Sequence, residues 1–186
     1  MSNQLFVISG ISGSGKTTLG RELAKRLNLL FVDEDDYYLN KKPKIKLSNG
    51  DQRSNWDCVE AINPNFMQEI EKLLQNRPVL LVGFALPKYL LPQKVRVHIH
   101  LKIADNPRDL EERCLQARHQ AKPFVKLEQD RFMVKEVVIP FYHEMVCNSD
   151  ITHLLKVFKD DGTRVPLAQL IDSGLEIITQ SEDLES

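Results

Sequence analysis

The stretch that decides the fold is Gly10-Ile11-Ser12-Gly13-Ser14-Gly15-Lys16-Thr17, with Thr18 behind it. It meets every fixed position of the pattern G-x-x-x-x-G-K-[ST]. Its flanks agree with it. Leu5–Ser9 (LFVIS) is a continuous apolar run that reads as a buried strand. Lys16–Leu27 reads as a helix with Leu19, Leu23, Ala24 and Leu27 on one face. Glycines at 10, 13 and 15 let the backbone approach an anion closely, and the N–H groups of the loop, through Ser12 and Ser14, turn towards phosphate oxygens. The helix start at Gly15–Lys16 adds its positive end. Lys16 places a cation on the β- and γ-phosphates, the Thr17 hydroxyl can ligate Mg²⁺, and Thr18 can hydrogen-bond the α-phosphate. The expected ligands are therefore a nucleoside triphosphate, taken as ATP, and magnesium. The motif does not say what becomes of the γ-phosphate.

Outward from this loop the elements alternate. Leu29–Val32 is a short second strand, and Asp33–Asp57 is a long polar connection of the kind that often carries function. Asn63-Pro64 opens a helix with Phe66, Ile70, Leu73 and Leu74 on its apolar face. Val79–Val82 is another buried strand, ended by Gly83. Val95–Ile103 alternates, with Arg96, His98, His100 and Lys102 opposite the apolar set, so it reads as a strand with one wet face near a sheet edge. Asn106-Pro107 opens a helix to about Gln120, and a second helical stretch covers about Lys126–Val146 with a bend near Pro140. Leu154–Phe158 is a last strand, Asp160–Thr163 a turn, Pro166–Ile171 a short helix, and about 180–186 a polar tail. Strands alternating with helices imply an α/β layered domain with a mostly parallel sheet.

Composition bounds the function. The chain has 186 residues, which fits one domain, and a formal net charge of -1, from 25 Lys+Arg against 26 Asp+Glu. A basic field for nucleic acid is absent. Cys58, Cys114 and Cys147 lie far apart, with no CxxC and no zinc-ligand spacing, which fits buried thiols in a reducing compartment. No run is long enough for a signal peptide or a bilayer span, so a cytoplasmic protein with neither membrane nor nucleic-acid partner is expected. The oligomeric state is left open.

The second chemical cluster is Asp33-Glu34-Asp35-Asp36-Tyr37-Tyr38, just past the second strand. In a parallel sheet that end shares a rim with the phosphate loop. A carboxylate there suits a kinase, which must orient an acceptor hydroxyl and take its proton. An acidic loop of solvated charge is the plain alternative.

GISGSGKTT, then DEDDYYL, then NWDCVEAIN, resemble the uridine–cytidine kinase and nicotinamide riboside kinase group of P-loop kinases, over roughly residues 5–160. The resemblance implies a three-layer P-loop NTPase fold with a five-stranded parallel sheet in the order 2-3-1-4-5. It also implies a helical lid at about 107–126, all in one domain. It makes Asp35 the general base beside a nucleoside 5′-hydroxyl, Tyr37 and Tyr38 the aromatics near the nucleoside, and Asp57 the carboxylate that holds ribose hydroxyls. Asp57 as an N-cap for Cys58–Ile62 is the competing reading. Trp56, the only tryptophan, is either core or a wall of the substrate pocket. In the lid, Arg113 and Arg118 would neutralise charge in transfer, with Lys122 sharing a helix face with Arg118. A solvated basic face is the alternative, and His98, His100 and His119 are expected to need no metal.

One position departs from that group, where the third strand usually ends in Glu-Gly and the glutamate helps hold magnesium. Here it ends in Val82-Gly83, and valine cannot ligate Mg²⁺. Asp35, with Asp33 or Asp36, supplies that charge through waters, or the acceptor is unusual, or the chain binds nucleotide and catalyses poorly. Asn40–Arg53 also looks unlike a base-recognition hairpin. The expected activity is transfer of the γ-phosphoryl group of ATP to a ribonucleoside 5′-hydroxyl. Its rivals are a kinase for a non-nucleoside small metabolite, pantothenate-like or sugar-phosphate-like, and a nucleotide-binding regulatory protein.

Overall fold

A computed structural model describes residues 4–91, 95–121, 123 and 125–183. Lys122 and the last three residues of the polar tail lie outside the described residues. The apolar run at the N-terminus forms β1 (Leu5–Ser9), buried along its whole length. The helix after the glycine-rich turn is α1 (Lys16–Leu27), ended by Asn28 in the left-handed conformation at φ 54°. Strand β2 (Leu30–Asp33) follows. The long polar connection then splits into a 3-10 turn, Glu34–Tyr37, and an antiparallel hairpin of β3 (Lys44–Lys46) and β4 (Gln52–Ser54). The expectation of an irregular connection is corrected there: alternation across Lys44–Lys46 and a reversal at Gly50 (φ 89°) suffice for a short hairpin.

Helix α2 (Phe66–Leu74) starts two residues later than Asn63-Pro64 suggests. The Asn63 side chain instead accepts from the backbone N–H of Asn65, at 2.9 Å, and closes a turn ahead of the helix. Strand β5 (Val79–Gly83) and strand β6 (Val97–Lys102) complete the sheet centre. Helix α3 (Pro107–Ala121) has the expected Asn106 cap, whose side chain accepts from Asp109 N–H at 2.9 Å. Helix α4 (Leu127–Met133) runs through a π turn, Val134–Val138, into α5 (Ile139–Cys147). Pro140 has no N–H to donate, and the chain widens ahead of it rather than breaking. Strand β7 (His153–Lys156) and helix α6 (Leu167–Asp183) close the chain. The short helix expected at Pro166–Ile171 is thus corrected to one of 17 residues. Gly174 does not end it: its missing side chain admits Leu23 of α1, whose Cδ1 would lie 2.7 Å from a Cβ there.

The five parallel strands lie in the order β2-β5-β1-β6-β7. Counted without the hairpin, that is 2-3-1-4-5, the P-loop NTPase arrangement that the sequence implies. Phe6, Ile8, Leu80, Val82, Ile99 and Leu101 pack towards α1 and α6 on one face. Leu5, Val7, Val79 and Leu81 pack towards Phe66, Ile70 and Leu74 of α2 on the other.

Strand β6 corrects the reading of a wet edge. It pairs with both β1 and β7. His98 is 0 % and His100 2 % exposed. Ser9 Oγ lies 2.7 Å from His98 Nε2 and 2.8 Å from His100 Nδ1, which gives each buried ring a partner, while His98 Nδ1 has none among the described residues. The chain continues from His100 Nε2 to the Tyr142 hydroxyl, at 2.6 Å. Burial pushes both imidazoles down to about 4, helped by His100 beside His98 and Lys102 beside His100.

Candidate active site

Parallel strands deliver their C-terminal ends to one rim, and Lys16, Asp35, Arg113 and Arg118 meet there. A cavity of about 800 Å³ is lined by Ser12, Gly13, Lys16, Asp35, Arg113 and Arg118, among others. The loop below it is shaped by Gly13 (φ 84°) and Gly15 (φ 89°), a backbone region that L side chains rarely adopt. Gly10 N–H donates to Gly83 O at 3.3 Å and to Phe84 O at 2.9 Å, which fixes the loop's first residue to the end of β5. Ser14 Oγ is buried and has no hydrogen-bond partner among the described residues. Thr17 is half-buried and Thr18 exposed in the first turn of α1.

Asp35 reaches the cavity from the 3-10 turn after β2. Asp33 caps that turn, its Oδ1 accepting from Asp35 N–H at 3.2 Å. Asp35 is exposed to the cavity. The protein around it still raises its carboxyl above the usual range by burial, Lys16 pulls it down, and Asp33 and Asp36 push it up. Glu34, the neighbouring residue, points the other way. It is 3 % exposed, and its Oε2 accepts from Phe84 N–H at 2.7 Å. Burial pushes its carboxyl up to about 7, against the bond from Phe84.

The arginines are held by the protein. The Arg113 guanidinium lies 3.6 Å from the centre of the Phe158 ring. Arg118 Nη1 is 3.8 Å from Asp57 Oδ2, and its Nε is 3.5 Å from Asp130 Oδ2. Asp57 is 8 % exposed and faces this guanidinium, behind the cavity wall. The N-cap of the 3-10 turn that follows, Val59–Ala61, is Cys58, whose side chain makes no cap hydrogen bond. Tyr37 packs edge-on against Phe66, at 5.0 Å between ring centres. Tyr38 meets Trp56 at 5.6 Å. Trp56 is 39 % exposed, under the Lys42 ammonium at 3.5 Å, so it is not core. Tyr37 and Tyr38 thus each pack against another ring, and Asp57 adjoins the cavity through Arg118.

Sequence reasoning missed three residues of this region. Arg164 lines the cavity, and its Nη2 reaches Ser14 O at 3.3 Å. Phe158 supports Arg113 from the end of β7. Both follow the last strand, and only the rim rule for parallel strands points to them. Glu34 was visible within the acidic cluster, but the face it takes depends on the turn. Among the described residues no group of three or more His, Cys, Asp or Glu side chains could hold a metal ion. No helix among them is long and apolar enough to cross a membrane.

Comparison with known proteins places these features. The shikimate kinase family model matches residues 12–50, from the phosphate loop into the hairpin. A probable gluconokinase of Xenopus tropicalis is 45% identical over 58 residues, 29% of this chain and 30% of that protein. A probable gluconokinase of Mus musculus is 32% identical over 84 residues, 45% of each. The match thus spans less than half the length of these curated relatives. The crystal structure of a gluconokinase from Sinorhizobium meliloti 1021 superposes with a TM-score of 0.55 at 15% identity, over 98% of this chain and 96% of that one. An unliganded sugar kinase from Janibacter sp. HTCC2649 gives 0.52 at 16% identity, over 93% and 92%. These likenesses overturn the resemblance to uridine–cytidine and nicotinamide riboside kinases. Its motif after the second strand, DEDDYYL, lies within the stretch that the shikimate kinase model matches. The chain has the P-loop kinase fold, and its similarity is of the gluconokinase and shikimate kinase type rather than the uridine–cytidine kinase type.

Proposed function

We propose that the protein is an ATP- and magnesium-dependent phosphotransferase acting on a hydroxyl of a small sugar-like metabolite, with gluconate the first candidate. The observation that carries this is the shared cavity: Lys16 from the phosphate loop and Asp35 from the opposite turn line one space, with Arg113 and Arg118 on its α3 wall. A proton acceptor facing a phosphate-binding lysine is what transfer to an alcohol requires. The gluconokinase names of the partial relatives support the sugar-acid acceptor.

Lys16 and the loop amides bind the phosphates. Asp35 orients the acceptor hydroxyl and takes its proton as the new O–P bond forms and the bond to the β-phosphate oxygen breaks. A carboxylate whose carboxyl is held above its ordinary range is the stronger base while ionised. Arg113 and Arg118 neutralise the charge on the transferring group. The residues fit nucleotide: the unpartnered Ser14 Oγ sits in a loop bent by two left-handed glycines. Thr17 and Asp35 would hold magnesium, which supplies charge neutralisation on the phosphate oxygens when bound.

The test is ADP release with Mg·ATP and, in turn, gluconate, shikimate, uridine, cytidine, nicotinamide riboside or no acceptor. Release that depends on gluconate, or on another sugar acid, is the expected result. Release with nucleosides alone would overturn the acceptor class. ATP binding without acceptor-dependent release would favour a nucleotide-binding regulatory protein.

A further inference from the structure

Glu34 is a fully enclosed carboxylate that the reaction above does not use. Three facts define its place. It immediately precedes Asp35 on the 3-10 turn Glu34–Tyr37. Its Oε2 accepts from the N–H of the peptide joining Gly83 and Phe84, at 2.7 Å. The carbonyl of that same peptide, Gly83 O, accepts from Gly10 N–H at 3.3 Å, and Phe84 O accepts from it at 2.9 Å. Gly10 opens the phosphate loop. A hydrogen-bonded chain therefore runs from the phosphate loop, through the end of β5, to the residue beside the proposed base.

We infer that Glu34 is a positioning residue: its bond to the Gly83–Phe84 peptide sets the acceptor-side turn against the phosphate loop, and so the separation of Asp35 from Lys16. The inference rests on the phosphotransferase reading. Hydrogen bonds in series polarise one another, and a carboxylate acceptor makes the stronger kind. The approach is built into the sequence at Gly83, where a Cβ would lie 2.5 Å from Glu34 Oε2 and 2.7 Å from Leu86 Cγ. No side chain fits there while Glu34 keeps its place. The Phe84 ring anchors the same segment from the far side, stacked on Phe141 at 5.9 Å and edge-on to Tyr142 at 5.6 Å. A rigid mount of this kind matters because a shift of about 1 Å in a reacting group can cost on the order of 100-fold in rate.

The experiment compares wild type with Glu34→Gln and Glu34→Ala. Glutamine keeps a carbonyl oxygen that can accept from Phe84 N–H, and alanine does not. Glu34→Leu, which fills the space without an acceptor, stands in should the alanine variant fail to fold. Two readouts are taken: kcat against KM for ATP and acceptor, and amide hydrogen exchange at Phe84 and Gly10. Glu34→Ala is expected to lower kcat by roughly 10- to 100-fold with KM for ATP within about threefold, while Glu34→Gln stays near wild type. Exchange at Phe84 and Gly10 should speed up in the alanine variant alone. Unchanged kcat and exchange in Glu34→Ala would overturn the inference. Equal loss in both variants would overturn it too, since charge and not the accepted bond would then be the cause. A wild-type chain without acceptor-dependent turnover would sink the kinase reading instead, and the exchange measurement would still decide whether Glu34 makes the tie.

Discussion

At the scale of single residues, the proposed function assigns binding and transfer to different side chains. Lys16 and Asp35 line one cavity, the first proposed to grip phosphate and the second to meet the acceptor. Asp35→Asn should therefore leave ATP affinity within about threefold and lower kcat by roughly 100- to 10,000-fold, the range of a lost general base. Lys16→Ala should weaken ATP binding as well, through the lost contact with the phosphates. Calorimetric titration with ATP beside steady-state ADP release distinguishes the two, and a shared loss of affinity would contradict the division. That Lys16 and Asp35 sit at strand ends was legible in the sequence, because each belongs to a short local pattern beside a strand. What Asp57 faces was not: its carboxylate meets Arg118, which comes from a helix far along the chain. Glu34 and Asp35 are chemically alike and adjacent, and only the backbone of the 3-10 turn sends one inward and the other to the cavity.

At the scale of elements, small residues set how closely the layers approach. Gly20 lies on α1 where a Cβ would press on Val82 Cγ2 of β5, with Phe31 Cε2 3.2 Å and Leu80 Cδ2 3.4 Å away. Alanine gains about 1 kcal/mol of helix propensity over glycine, but overpacking a filled core costs about 1–3 kcal/mol. The Val82 methyl sits on a strand with no room to retreat, so Gly20→Ala should destabilise the fold by about 1 kcal/mol net. Chemical denaturation would read this as a lower midpoint at unchanged slope, and a higher midpoint would refute it. Periodicity located α1 and β5 correctly, since both carry an uninterrupted apolar pattern. It ended α6 too soon. Gly174 looks like punctuation in a sequence, whereas in the fold it is a contact point for Leu23.

At the scale of the whole molecule, the His98–Ser9–His100–Tyr142 chain ties β6 to β1 on one side and to α5 on the other. Both imidazoles are held neutral, at about 4 against an ordinary 6.5. The folded chain then binds fewer protons than the unfolded one between those values, so stability is full above about pH 6.5 and is lost as the pH falls towards 4. The loss amounts to a few kcal/mol for the pair, since each tenfold drop in proton affinity is worth about 1.4 kcal/mol. Glu34 works in the opposite sense, because its raised value, about 7, removes stability as the pH rises through neutrality. The comparison that isolates the histidines is thermal unfolding of wild type and His98→Gln from pH 7 to 4.5. The variant should show the shallower acid loss, and parallel curves would remove His98 from the account.

The sequence by itself determined the strand–loop–helix unit, the order of the sheet's five strands along the chain and the convergence of strand ends on one rim. These are local patterns joined by a chirality rule, and they need no partner from elsewhere in the chain. The tertiary structure alone decided that β6 is central rather than an edge strand. An alternation of His with Ile and Leu looks the same whether water or Ser9 and Tyr142 receive the imidazoles. It alone decided which rings pair, since Tyr37 and Tyr38 find Phe66 and Trp56 only after the connection folds back. It also joined Glu34 to Gly10 through Gly83 and Phe84, three segments of the chain that meet only at the sheet's rim.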